Sequence, residues 1–364
     1  MKFRCQRDAL VDAIGTAVRA VTSRSVALPV LSGLLVRTTD GAVQLVGSDL
    51  ELTVETSVPV EVLSEGAAVL PKLTGDIVKS LSGETVTIEV REGEATITAE
   101  RSEFRVPVLP VDDYPRLPSL DQEGVVVPGT ILHEALRQVV PAASRDDARP
   151  ILTGVLFEAV PNGLRLVATD SYRLAVRDVD GAHVVEEDHR VLVPARALTE
   201  LLRVPTSQDV TVVLADREAQ FVAGPTKVTT RLIEGDFPNY RQLLPSEYPN
   251  RLTLTKERFV EAVRRVRLVA QGRDNTPVKL VLNADGVELT ASAQDVGRAY
   301  EQLEAKYEGT EMTVAFNPEF LVDGLHAVEG SDVVLDTLDG LKPATIRAAE
   351  QANFTYLLMP VRIP

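Results

Sequence analysis

Apolar positions recur along this chain at two spacings, and the change from one to the other is written three times. In the first stretch Leu10, Ile14, Val18 and Val21 fall at helical spacing, with Arg19 off the stripe. Strand-like alternation follows in Leu34–Val36, Ala42–Val46 and Leu52–Val58. The third stretch repeats the scheme. Phe259, Val263, Val266 and Ala270 form its helical stripe, and Arg258, Arg264 and Arg265 fall on the opposite face. The second opens on Ile131-Leu-His-Glu-Ala-Leu. Matching hairpin turns stand at Asp40-Gly41, Asn162-Gly163 and Asp285-Gly286, each between alternating segments.

A second short helix follows in each stretch, entered through Leu70-Pro71-Lys72, Val193-Pro194-Ala195 and Phe316-Asn317-Pro318. Proline suits a first helical turn because its missing N–H has no partner there. Further alternation covers Thr85–Val90 with Glu94–Ala99, and Val210–Leu214 with Ala219–Val222. Related segments close each copy, beginning at Phe104, Thr230 and Phe354. Short motifs recur in the same order. Leu45-Val-Gly-Ser-Asp49 matches Leu166-Val-Ala-Thr-Asp170, and Leu28-Pro-Val-Leu31 matches Arg149-Pro-Ile-Leu152 and Thr276-Pro-Val278.

Glycines 41, 163 and 286 lie 122 and 123 residues apart. Solenoid units run to about 20–50 residues, so each copy is a domain with its own core. The pattern predicts an α+β fold of three repeated domains, 1–121, 122–247 and 248–364. Each would stack antiparallel sheets with both helices on one face. Exposed sheet edges must be paired or covered. Repeats in series can therefore pair edge to edge, and a constant turn between them closes a ring or continues as a filament.

Composition narrows the compartment. No apolar run reaches the ~20 residues needed to span a bilayer, and no signal-type stretch follows Met1. The one cysteine, Cys5, alternates with Lys2 and Arg4 and reads as a buried strand residue. A reducing cytoplasm is expected. The net charge of −15 argues at first against nucleic acid. Its distribution says otherwise: the six helical segments sum to +5 and the rest of the chain to −20.

Chemistry-bearing motifs are sparse. There is no phosphate-cradling Gly-x-x-x-x-Gly-Lys loop. Histidines 133, 183, 189 and 326 lack ligand spacing, so neither a metal nor a cofactor is expected. Asp49 and Asp170 are repeat-equivalent, but Ala293 stands at the third position, which favours a role in a turn over catalysis.

At this point the residues resemble the bacterial DNA sliding clamp, the beta subunit of DNA polymerase III. The resemblance spans essentially the whole chain. It is carried by Leu28-Pro-Val-Leu31, Leu45-Val-Gly-Ser-Asp-Leu-Glu51, Val167-Ala-Thr-Asp-Ser-Tyr-Arg-Leu-Ala175, Gly235-Asp-Phe-Pro-Asn-Tyr-Arg241 with Leu244-Pro245, and Tyr356-Leu-Leu-Met-Pro-Val-Arg362. It implies a non-catalytic homodimeric ring of six domains around double-stranded DNA. It also implies a pocket for short linear motifs of the replicative polymerase, the clamp loader and other clients.

The residues matching that pocket are Leu152, Thr169, Tyr172, Arg173, Leu174, Pro238, Leu243, Asn317, Phe320, Met359, Pro360, Val361 and Arg362. DNA contacts carry over onto Arg24 and, by repeat position, Arg145 and Arg149. Helix-face geometry adds Arg19, Lys79, Arg137, Arg203, Arg264 and Arg265. The match places Phe104 and Val106 against Val269 at the dimer seam, with a place in the first domain's own core as the alternative for the first two. Ser171, Gln242 and Pro364 depart from the family pattern at the pocket rim. A duplicate, inhibitor-tolerant clamp, a peptide-binding scaffold that never meets DNA, and a triplicated hydrolase built on Asp49 and Asp170 remain as other readings.

Overall fold

The computed structural model describes residues 1–22, 28–117, 120, 122–205, 207–245, 247–270, 276–294, 296–350 and 353–362. Arg24 and Pro364, both used above, lie outside them.

The helical stripes become α1 (Arg7–Ala17), α3 (Gly129–Val139) and α5 (Lys256–Val266). The short second helices become α2 (Leu73–Ser80), α4 (Ala195–Leu201) and α6 (Pro318–Ala327). Pro318 occupies the first turn of α6, and the Asn317 side chain caps it by accepting from the N–H of Glu319 at 2.9 Å and of Phe320 at 3.4 Å. Asp40 and Gly41 both have positive φ, 47° and 77°, as the two-residue turn between their strands requires.

Every strand pair in the four sheets is antiparallel, among the described residues. Packing divides the chain into two compact units. The first comprises Met1–Thr130 with Arg196–Leu232, the second Ile131–Ala195 with Ile233–Pro364. Sequence repeats and packing units are thus different partitions. The half-sheets of the second repeat each fuse with a neighbouring repeat, so its strands are shared between the units.

Within the first unit, strand Thr226–Arg231 of the second repeat pairs with Leu52–Pro59 of the first, Val228 facing Val54. This joins their strands into an eight-stranded sheet. The same rule operates in the second unit. Strand Phe354–Leu358 of the third repeat pairs with Arg173–Asp180 of the second, Tyr356 facing Ala175, within a nine-stranded sheet. In both cases the closing strand of one copy pairs with the fourth strand of the copy before it.

The first repeat's core gathers Phe3 and Cys5, the α1 stripe of Leu10 and Ile14, Ile77 and Val78 of α2, and inward strand residues such as Leu34, Leu45 and Ile97. Cys5 is buried there, as its alternation implies, and burial raises its thiol pKa. Gly47 lies directly under the last turn of α1, where a Cβ would collide with the Ala17 carbonyl oxygen. Because that obstacle is backbone, relief requires α1 to shift. Gly47→Ala is therefore expected to lower the unfolding free energy by about 1–3 kcal/mol, read from urea denaturation.

Candidate functional site

The best-defined constellation lies in the second unit and is built around Arg173. The chain turns sharply between the strands Gly163–Thr169 and Arg173–Asp180. Asp170 holds that turn, its Oδ1 accepting from the N–H of Tyr172 at 2.9 Å and of Arg173 at 3.0 Å. The Thr169 hydroxyl donates to the Arg173 carbonyl at 2.6 Å. Ser171 carries φ of 81°, in the left-handed region that favours glycine. Asp49 makes the equivalent bonds in the first repeat, to the N–H of Glu51 at 3.1 Å and of Leu52 at 2.8 Å. The repeat-equivalent aspartates therefore serve as turn formers.

The Arg173 side chain is nearly buried, and its Nε and Nη1 are both bonded. Its Nε donates to Asp170 Oδ2 at 2.9 Å, and its Nη1 to Asp323 Oδ2 at 2.5 Å and to the Tyr356 hydroxyl at 3.5 Å. The Tyr356 hydroxyl in turn donates to the Phe320 carbonyl at 2.9 Å. Burial, the largest influence, drives the Tyr356 phenol pKa well up, so it stays a neutral donor at ordinary pH. The guanidinium lies 4.3 Å from the centre of the Phe320 ring, and Tyr172 stacks on the same ring at 6.4 Å and 27°. One cation thus ties the strand turn to the first turn of α6.

The next residue, Leu174, points to the opposite face of the sheet from Arg173 and Tyr356. Leu174 is buried in an apolar cluster with Leu156, Leu357, Phe237 and Tyr240, against which Ile151 and Leu244 pack. Leu152, Pro238 and Leu243 each adjoin a member of that group in the chain. Thr169 and Leu152 are buried, whereas Tyr172 at 60%, Leu243 at 45% and Met359 at 37% stay exposed. The terminal segment is pinned by the Met359 N–H on the Tyr172 carbonyl at 2.9 Å and the Val361 N–H on the Ala315 carbonyl at 2.8 Å. Pro360 and Val361 are half-buried, and Arg362 is exposed. An apolar floor with exposed apolar edges and oriented polar groups suits a short apolar peptide. Sequence reasoning missed Leu357, Asp323 and Tyr356. Only the alternation in Phe354–Leu358 hinted at Leu357.

The cations named for DNA are placed unevenly. Arg19 and Arg203 share Glu200, at 3.4 and 3.1 Å. Lys79 and Arg145 are exposed. Arg149 does not lie with the helix cations: it bonds Asp146 at 2.8 Å and Ser171 at 3.3 Å, beside the Arg173 turn. Arg265 is tied to Glu301 at 3.0 and 2.5 Å and to Glu261 at 3.3 Å, locking α5 to strand Gly297–Leu303. This removes it as a free cation. Arg137 donates to the His326 carbonyl at 3.0 Å, Lys256 to the Val328 carbonyl at 2.9 Å, and Arg264 to His326 Nε2 at 2.8 Å. These three cations converge on the C-terminal end of α6, the negative end of its dipole.

At the expected seam, Phe104 is 40% exposed on strand Ser102–Pro107, but Val106 is 5% exposed within the first repeat's core. Core packing claims Val106, so the seam expectation narrows to Phe104 and Val269. Val269 is half-buried. Tyr300 at 61%, Leu268 at 60% and Val296 at 57% are exposed apolar groups on or beside strand Gly297–Leu303 that the sequence reading did not single out.

Three successive parts of the chain match the DNA polymerase III beta subunit family: the N-terminal domain over residues 1–118, the central domain over 126–239 and the C-terminal domain over 241–362. The beta sliding clamp of Streptomyces coelicolor is 36% identical, and that of Bacillus subtilis 30%, each alignment covering 100% of both chains. The solved B. subtilis clamp superposes with a TM-score of 0.91 over 100% of both chains at 30% identity. A Bartonella birtlesii clamp bound to griselimycin gives 0.92, also at 30% identity over 100% of both chains. The chain belongs to the family of bacterial DNA polymerase III beta subunits, the sliding clamps of DNA replication, and it has their three-domain clamp fold. Among the described residues, no helix is long and apolar enough to cross a membrane.

Two outcomes follow. Asp170→Ala strips the turn of its acceptor and takes one partner from the buried Arg173. The unfolding free energy should fall by about 2–3 kcal/mol in urea denaturation. His326 has its pKa held below the ordinary value by burial first, then by Arg264, with Lys256 and Arg137 adding and Asp323 opposing. The unfolded chain therefore takes up that proton first on acidification. This contribution to stability is complete above about pH 6.5 and is lost as pH falls through the depressed folded value. Urea midpoints taken between pH 7.5 and 5.5 should drop more steeply for the wild-type chain than for His326→Gln.

Proposed function

We propose that two copies of this chain join head to tail into a closed ring. The ring encircles duplex DNA, slides without reading bases, and tethers the replicative polymerase, the clamp loader and other clients through the cup around Arg173. The carrying observation is the pairing rule between repeats. Each closing strand pairs with the fourth strand of the preceding copy, twice within the chain. The rule leaves closing strand Ser102–Pro107 and fourth strand Gly297–Leu303 at sheet edges.

An open edge of this kind is a template for another chain. Here one edge carries exposed Phe104 and the other exposed Tyr300, beside Leu268 and Val296. A second copy completes the rule in both directions. A heterologous contact repeated at a fixed rotation then closes. The domain limits 1–121, 122–247 and 248–364 are the units of this rotation.

Cations on the helices supply backbone-only contacts with phosphate, which position DNA without reading it. Several are half-neutralised by their own acids, which keeps the grip weak enough for sliding. Retention is then topological. The protein acts without bond-making chemistry, as an accessory subunit in the cytoplasm. Clients insert a short motif with a Leu-Phe-like pair over Leu174 and Leu357, against the Phe320 ring. The second pocket of the ring raises effective affinity without new contacts.

The test is solution mass together with loading onto nicked circular plasmid. The wild-type protein should run at twice the 39.5 kDa chain mass, stay on circles, and leave after linearisation. Phe104→Arg should run as a monomer and be lost from circles. A wild-type protein monomeric at every working concentration, or equally retained on linear DNA, overturns the ring.

A further inference from the structure

The face of the nine-stranded sheet that bears Leu174 and Leu357 also carries a polar cavity, and nothing described so far uses it. It encloses about 570 Å³ and is lined by Leu244, Tyr248, Arg251, Asp336, Thr345 and Arg347, among others. One cross-strand row connects it to the cup. Arg251 faces Asp336, Asp336 faces Thr345, Thr345 faces Leu357, and Leu357 faces Leu174. Leu244 packs on the apolar cluster and also lines the cavity, so it is the wall common to both.

The cavity's chemistry is specific. Asp336 is 2% exposed and stands between two guanidinium groups. One oxygen accepts Arg251 Nε at 2.7 Å and the other Arg347 Nε at 3.0 Å. The buried carboxylate thereby fixes both planar forks while neutralising only one charge. Arg347 Nη1 also donates to the Ala348 carbonyl at 3.4 Å, and the other guanidinium nitrogens can serve a ligand. Thr345 and Thr355 add hydroxyls. The opposing charges are Glu247 on the rim and Glu308, which faces Arg251 across the strands and is paired with Lys306 at 2.8 Å.

We infer that this cavity is an acidic-residue subsite of the client groove. It accepts a side-chain carboxylate of the docked peptide on Arg251 and Arg347, an Arg–carboxylate contact of the bidentate type. The inference rests on the peptide-docking reading above. Two strand spacings separate Leu357 from Asp336, about 10 Å, or roughly three extended residues. The acidic residue should therefore lie three or four positions from the apolar pair.

Fluorescence anisotropy with labelled peptides tests this. Each peptide carries a Leu-Phe pair, with Glu or Gln three or four positions to either side. The Glu peptide of the correct polarity should bind about 5–10-fold tighter than its Gln twin, as expected for one charge-assisted contact. Arg251→Gln, at a half-exposed position, should collapse that ratio below twofold, and Glu247→Gln should widen it. Thermal melts of both variants check folding. Equal binding of Glu and Gln peptides on both sides, with binding still weakened by Phe320→Ala, overturns the subsite alone. If Phe320→Ala weakens neither peptide, the docking reading falls and takes the subsite with it.

Discussion

Backbone pairing between successive copies of one repeat is the constraint on which the rest depends. A sheet edge cannot stay bare without inviting another strand, and this chain covers two such edges with its own next copy. Val228 opposite Val54, and Tyr356 opposite Ala175, are the same joint made twice. Because the joints are main-chain ladders, their register is set by alternation on each strand. A one-residue slip would turn every core residue outward. The joint therefore tolerates wide divergence between copies, provided that alternation is kept.

The second joint also builds the candidate site. Pairing Phe354–Leu358 with Arg173–Asp180 sets Leu357 beside Leu174 and brings Tyr356 to Arg173. Gly324 belongs to the same arrangement: a Cβ there would run into the Tyr356 ring, so the helix can approach only without one. Arg173 then has ionic partners from two elements 150 residues apart in sequence, Asp170 and Asp323. A buried guanidinium with paired, hydrogen-bonded carboxylates holds its geometry before any peptide arrives. The Phe320 ring inherits that rigidity through the overlying cation and the bond from Tyr356 to its carbonyl.

Much of this was legible in the chain. Helical stripes such as Leu10 and Ile14, and hairpin turns such as Asp40-Gly41, follow from local periodicity and backbone preference, and they reappear in place, although α1 ends at Ala17 and Val18 opens a 3-10 turn. The repetition itself points to edge-to-edge pairing. Three things were not legible. Val106 shares the parity of Phe104 on one strand, and only packing decides that one is core and the other surface. Arg265 reads as a solvent-facing helix cation, yet Glu301, 36 residues on, captures it. The cavity around Asp336 draws on segments 99 residues apart in the sequence, from Tyr248 to Arg347, so no local window contains it.

Capture of cations by neighbouring acids bears on how such a chain can carry −15 and still serve DNA. Each free Lys or Arg that neutralises a phosphate releases counterions and steepens the salt dependence of binding. Arg19 and Arg203 divide one glutamate, and Arg265 takes two. Arg137, Lys256 and Arg264 instead lean on carbonyls and a neutral imidazole at the end of α6. These partners fix position without cancelling charge. In the proposed ring, charge on these helices would be concentrated at the end of α6 and thinned around Arg19, Arg203 and Arg265. The proposed sliding would then follow from how the charges are paired more than from how many there are.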